Sequence, residues 1–219
     1  MNPGFWQAVL FDFDGVVLDS NPARTEGFRR LFSGYPESAV EALLRYHEEN
    51  GGLSRYDKIA HFFKDILKRD IPPGELGRHA ERFSSLVKQA VIDSPFIPGA
   101  AEYFGRRHPF PLYLVSGSDQ DELREICGRL GIASSFAGIF GSPTPKTENV
   151  ARILSSGGYP ADRVVLIGDS RNDQEAARAN RTRFIARASG RPAWLAADAP
   201  HIQDLSQLDQ VLCDAAGRG

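Results

Sequence analysis

A short apolar run, Ala8-Val9-Leu10-Phe11, stops at Asp12-Phe13-Asp14-Gly15, and no other stretch constrains the fold as strongly. An unbroken apolar run of this length fits a strand buried on both faces of a parallel sheet, not one with a solvated face. In open α/β sheets, ligands bind beyond the carboxyl ends of the strands, so Asp12 and Asp14 are expected at that rim. Residues two apart on a strand share a face. Two carboxylates on one face repel unless a proton or a cation lies between them. The pair therefore points to a hard metal with oxygen ligands, and Mg²⁺ is the expected ion. A solvated acidic turn is the alternative for this stretch taken alone.

The later strands repeat the pattern. A strand predicted over 112–115 ends in Ser116-Gly117-Ser118, with Ser118 placed to cap a helix over 121–130. A serine hydroxyl and exposed backbone N–H groups before a helix make an anion site. A short strand over 138–140 leads to Lys146, at the start of a helix running to about Ser155. A cation is disfavoured at that end of a helix. Lys146 is also the only lysine after Lys88, and a local rule broken in this way is often functional. The next strand, 164–167, runs into Gly168-Asp169-Ser170-Arg171-Asn172-Asp173, a second acidic strand end. A last strand over 184–186 and a helix through Leu205, Leu208 and Leu212 close the sheet, with 215–219 expected to fray.

From Asn21 to Ser94 the periodicity is helical. Asn21-Pro22 reads as a helix start, with Asn21 as the cap. Helices follow over 38–49, 54–67 and from about Pro73, the last burying Leu76, Ala80, Phe83, Val87 and Val91. Four helices without an intervening strand are an insert that packs on itself, not a single crossover. His47, His61 and His79 show no metal-ligand spacing and are assigned to packing or surface. Within the insert, Gly51-Gly52-Leu53-Ser54-Arg55 is a glycine-loosened loop leading to an arginine suited to bidentate recognition of phosphate or carboxylate, with Lys58 one turn on. A helix cap with a solvated basic turn explains the same residues equally well.

Composition sets the remaining bounds. A chain of 219 residues holds one domain with a sizeable core, or a core plus an insert. A formal net charge of −2 carries no electrostatic signature for nucleic acid or an anionic membrane. Cys127 and Cys213 lie in no metal or redox spacing and are expected to be reduced. No signal-like start and no membrane-length apolar run is present, so a cytoplasmic location is expected.

The stretch Asp12-Phe13-Asp14-Gly15-Val16-Val17-Leu18-Asp19-Ser20, followed by Ser116, Lys146 and Gly168-Asp169-Ser170-Arg171-Asn172-Asp173, resembles the four motifs of the haloacid dehalogenase-like hydrolases, in order. The resemblance implies an α/β fold: a Rossmann-like parallel sheet core with helices on both faces, spanning 1–20 and 95–219, plus an inserted all-helical cap over 21–94. It implies Asp12 as nucleophile and Asp14 as general acid and base. Asp12, Asp14, Asp169 and Asp173 would form the metal shell, Asp14 through its backbone carbonyl. Ser116, Gly117 and Lys146 would bind the phosphoryl group, and Arg55 and Lys58 the rest of the substrate. The family's usual lysine precedes a Pro-x-Pro pair, whereas Lys146 follows Pro143-Thr144-Pro145.

The expected activity is Mg²⁺-dependent hydrolysis of a small phosphate monoester through an aspartyl phosphate, by a monomer or homodimer. Asp14 favours esters over halides, because an alcohol leaving group needs a proton and a halide does not. The wording around Arg55 resembles β-phosphoglucomutase, which makes a phosphomutase the alternative. A phospho-acceptor signalling domain also combines acids, a hydroxyl and a lysine on an α/β rim, but the insert and the Asp-x-Asp-Gly wording argue against it.

Overall fold

The computed structural model describes residues 5–72 and 74–217. Strands β1 (Ala8–Phe11), β2 (Leu112–Asp119), β3 (Gly138–Ser142), β4 (Val164–Gly168), β5 (Arg183–Arg187) and β6 (His201–Ile202) form one sheet in the order β3-β2-β1-β4-β5-β6. Every neighbouring pair is parallel. The first strand lies in the middle, with Val9 opposite Leu112 on one side and Val165 on the other. All four of its residues are fully buried, as an unbroken apolar run requires.

Between β1 and β2 come α1 (Asn21–Leu31), α2 (Glu37–Glu49), α3 (Arg55–His61), α4 (Glu75–Ile92) and the short α5 (Ala100–Phe104). Later helices are α6 (Gln120–Arg129), α7 (Lys146–Gly157), α8 (Arg171–Ala179) and α9 (Leu208–Ala216). Alternation along the strands separates two apolar layers. Val9, Phe11, Leu114 and Ile167 share a layer with Phe104 of α5, Ile126 of α6 and Leu212 of α9. Ala8, Leu10 and Leu166 share the other with Val150 and Ile153 of α7 and Ala176 of α8. Helices thus cover both faces of a parallel α/β sheet, as expected.

Helices α1 to α4 pack on one another through aromatic rings: Phe28 and Phe83 are 4.3 Å apart between centroids, Phe32 and Phe62 4.0 Å. Gly27 lets α1 approach α4, since a Cβ there would lie 2.1 Å from Cγ1 of Val87. The chain enters and leaves this insert through adjacent segments. Asp19 N–H donates to Pro95 O at 2.9 Å and Ile97 N–H to Val17 O at 3.0 Å.

Several boundaries differ from expectation. The predicted third helix ends at His61 and continues as a π-helical turn, Phe62–Ile66, which carries the apolar face onward with more residues per turn. The second strand runs on to Asp119, its pairing with β3 shifting in register after Val115. The strand β6 has no periodicity to announce it, being two residues long. The helix at the carboxyl end reaches Ala216, where fraying was expected, while 218–219 lie outside the described residues, as does Pro73, the expected start of α4. No helix among the described residues is long and apolar enough to cross a membrane.

Overpacking a filled interface costs about 1–3 kcal/mol. Gly27→Ala is expected to destabilise the chain by about that amount, read as a lower urea midpoint with an unchanged slope.

Candidate active site

The carboxyl ends of β1 and β4 bring three carboxylates together. One oxygen each of Asp12, Asp169 and Asp173 lies within 4.8 Å of the others. Asp12 directly follows β1, and its Oδ1 accepts from the Phe13 N–H at 2.7 Å. Asp173 sits in the first turn of α8, in a reciprocal cap: Ser170 Oγ accepts from the Asp173 N–H at 3.3 Å, and Asp173 Oδ2 accepts from the Ser170 N–H at 3.1 Å. Asp169 Oδ2 accepts from the side-chain amide of Asn21 at 2.9 Å. Asn21 therefore does not cap α1. The cap position belongs to Ser20, whose hydroxyl instead donates to Asp14 at 2.5 Å. Gly15, with φ of +77°, is required here, because a Cβ would lie 1.9 Å from Asp169 Oδ2.

Lys146 is buried between two of these acids. Its Nζ lies 3.0 Å from Asp12 Oδ1 and donates to Asp173. Its place at the first turn of α7 opposes the helix dipole, and two carboxylates offset that. Burial works against its charge, but Asp12 and Asp173 outweigh it and raise its pKa. Burial, then the charge of Asp173, hold Asp12 well above the usual carboxylate range, and the same two causes push Asp169 up to about 7. One ammonium among three carboxylates, two of them buried, leaves an excess of negative charge when all are ionised. An all-oxygen donor set with such an excess fits a hard divalent cation.

Asp14 lines the same cavity, but its carboxylate is turned towards a different set of partners. Its carboxylate accepts from Arg24 Nε at 3.0 Å, Ser118 Oγ at 2.7 Å and Ser20 Oγ. Burial would raise its pKa, yet Arg24 and the two hydroxyls hold it below the ordinary value. Among the predicted ligands, only its side chain lies outside the carboxylate cluster. Ser118 is thus engaged by Asp14 and does not cap α6. Asp119 does, accepting from the N–H groups of Asp121 and Glu122. Ser116 is buried, its Oγ accepting from the Ser118 N–H at 3.1 Å, and both Ser116 and Gly117 line the cavity beside Asp12.

The loop between α2 and α3 closes over this rim. A Cβ on Gly117 would lie 2.3 Å from the Gly52 carbonyl oxygen, and one on Gly52 2.7 Å from Ser170 Oγ. The cavity beneath measures about 60 Å³. Arg55 and Lys58 both face it, as expected, but the guanidinium of Arg55 is engaged. It makes a bidentate pair with Glu122, at 2.7 and 2.8 Å, and stacks 5.0 Å from the Phe83 centroid. Arg24 reaches the same Glu122 at 2.7 Å. Lys58 Nζ lies 2.9 Å from His47 Nδ1, and burial lowers its pKa to about 8. His47, assigned to helix packing, does contact Phe28 but also lines the cavity, and burial and Lys58 lower its pKa to about 3.

Arg24 and Glu122 escaped the sequence reading. Each sits in the first two turns of its helix, where Glu122 reads as a dipole-compensating acid and Arg24 as a surface base. Only the tertiary fold places them together.

A model of the haloacid dehalogenase-like hydrolases matches residues 6–180. The chain is 24% identical over 177 residues to a phosphorylated carbohydrates phosphatase of Thermotoga maritima, covering 78% of this chain and 80% of that one. It is 23% identical over 184 residues to a phosphoglycolate phosphatase of Synechococcus elongatus, covering 78% and 79%. A crystal structure described as a predicted phosphoglycolate phosphatase from Haemophilus somnus superposes with a TM-score of 0.74 at 14% identity, covering 95% of this chain and 98% of that one.

Gly117→Ala is expected to lift the 50–54 loop off the rim, seen as faster amide exchange at Gly52 and Leu53 with the sheet unchanged. Glu122 titrates at about 2 in the folded chain against an ordinary 4.5, because its hydrogen bonds to Arg55 and the charge of Arg24 outweigh burial. The stability it lends is full above its unfolded value and lost as the pH falls towards 2. In urea titrations, Glu122→Gln should lower neutral stability and flatten the acid limb between about pH 4.5 and 2.

Proposed function

This chain belongs to the haloacid dehalogenase-like hydrolase family, and from that premise we propose a magnesium-dependent phosphatase that hydrolyses a small phosphate monoester through a phosphoaspartate at Asp12. The observation that carries the reading is the cluster of Asp12, Asp169 and Asp173 against the buried Lys146, with Asp12 and Asp169 lining a small cavity. Phosphatases among its curated relatives support it.

Asp12, Asp169 and Asp173 would hold the cation, with the Asp14 carbonyl as a further ligand. When bound, Mg²⁺ supplies charge neutralisation that lets a carboxylate approach an anionic phosphoryl group. Asp12 Oδ1 is oriented by the Phe13 N–H and by Lys146, which leaves Oδ2 to attack phosphorus. The bond from Asp12 to phosphorus forms as the ester oxygen departs. Asp14 protonates that oxygen. The approach of an anionic substrate raises the pKa of a neighbouring carboxyl and so favours the protonated state this step needs. Asp14 then takes a proton from the water that releases phosphate, regenerating Asp12. The Ser116 hydroxyl, the Gly117 N–H and Lys146 bind the equatorial oxygens.

Helices α1 to α4, within 21–94, act as the cap over a core of 1–20 and 95–219. Their 50–54 loop excludes water from the reaction. Ligand pockets for larger molecules run to about 300–1,000 Å³. A cavity of about 60 Å³ therefore favours a compact ester, in keeping with a sugar phosphate or a small organic phosphate.

Asp12→Asn is expected to lower turnover by more than about 10⁴-fold while leaving the circular dichroism spectrum and urea midpoint near those of the wild type. Asp14→Asn should lower kcat by about 10²–10⁴. Chelation with EDTA should abolish hydrolysis and added Mg²⁺ restore it. Turnover that survives both Asp12→Asn and EDTA would refute the reading.

A further inference from the structure

Beyond the carboxylate cluster, the cavity wall carries three cations, Arg24, Arg55 and Lys58. Their partners are unequal. Every nitrogen of Arg24 is engaged: Nε with Asp14 at 3.0 Å, one terminal nitrogen with Glu122 at 2.7 Å, the other with Ser118 at 3.0 Å. Arg55 donates both terminal nitrogens to Glu122 and one also to Ser84. Glu122 is itself buried, and it comes from α6, not from the insert. Lys58 has no carboxylate partner among the described residues, only His47. The half-buried Asp14 and the buried Glu122 thus face three cations. The wall has one positive charge to offer a substrate, and it sits on Lys58.

We propose that Glu122 is a specificity-determining residue that neutralises Arg24 and Arg55, so that the cavity accepts phosphate esters whose alcohol carries at most one negative charge and discriminates against bisphosphates. This rests on the phosphatase reading and names its substrate class. A single carboxylate on a short leaving group matches Lys58. A second phosphate dianion brings two charges to a wall with one, and must compete with Glu122 for the arginines. Buried like charges without compensation are strongly disfavoured. Asp119 adds to the bias, since its carboxylate accepts at 2.9 Å from the hydroxyl of Tyr56, the residue that follows Arg55 in the insert. The same charge count argues against a phosphomutase, because a bisphosphate intermediate must seat its second phosphate in this wall.

The test compares kcat/KM of the Mg²⁺-loaded enzyme for 2-phosphoglycolate, glycerol 1-phosphate and fructose 1,6-bisphosphate, with p-nitrophenyl phosphate as a generic ester. Wild type should favour phosphoglycolate over the bisphosphate by at least about tenfold. Lys58→Met should remove the preference for phosphoglycolate over glycerol 1-phosphate. Glu122→Gln should raise the bisphosphate-to-glycerol phosphate ratio about tenfold, chiefly through KM, a shift that a merely structural defect would not produce. Should Glu122→Gln fail to fold, the wild-type ratio and Lys58→Met decide. Equal use of the bisphosphate and phosphoglycolate by wild type, or an unmoved ratio in folded Glu122→Gln, overturns the proposal. Hydrolysis of p-nitrophenyl phosphate distinguishes that outcome from failure of the phosphatase reading, which would show as no hydrolysis of any ester and would remove the proposal as well.

Discussion

The ammonium of Lys146 bridges Asp12 and Asp173 with almost no solvent contact, and the arrangement of the rim depends on that bridge. Removing two carboxylates from water is costly, and a paired cation in good geometry is what offsets it. The pairing fixes the strand end of β1, the start of α7 and the start of α8 relative to one another, because each contributes one member. Asp169 is left with an amide donor and, among the described residues, no ion pair, and its raised pKa follows from burial beside Asp173. The protein's own charges leave a negative excess at the point where a divalent cation would offset it.

A second charge system lies opposite, across the cavity. Glu122 joins α6 of the sheet to arginines on α1 and α3, so the closed position of the insert is written in buried ion pairs as well as in apolar contact. The glycines at 52 and 117 make that closure possible, since a side chain at 117 would hold the loop away from β2 and one at 52 would hold it away from Ser170.

The sheet and the acidic strand ends were legible because both are local in sequence. A buried strand declares itself by an apolar run, and a strand end by the polar residues that stop it, so Asp12, Asp169, Ser116 and Lys146 all fell where expected. Lys146 did so although it follows the Pro-x-Pro pair, because the first residue of α7 already lies within side-chain reach of Asp12. Caps were less legible. Asn21, Ser118 and Asp119 are all competent cap residues, and which one caps is decided by what else each can bond. Asn21 went to Asp169, which leaves α1 without a side-chain cap, and Ser118 went to Asp14, which leaves Asp119 to cap α6. Arg24, His47 and Glu122 were illegible for a different reason: their partners lie on other elements, and no periodicity records a contact between helices that are distant in sequence.

The segments that lead into and out of the helical insert run side by side, Asp19 bonded to Pro95 and Val17 to Ile97. Seen from the sheet, the whole insert is a loop whose ends already touch. Ordering of β1 against β2 need not wait for the intervening helices to span any distance, and the closure entropy of such a loop grows only slowly with its length. Lengthening or shortening the helices at a position like this is therefore expected to change little in the register of β1 against β2.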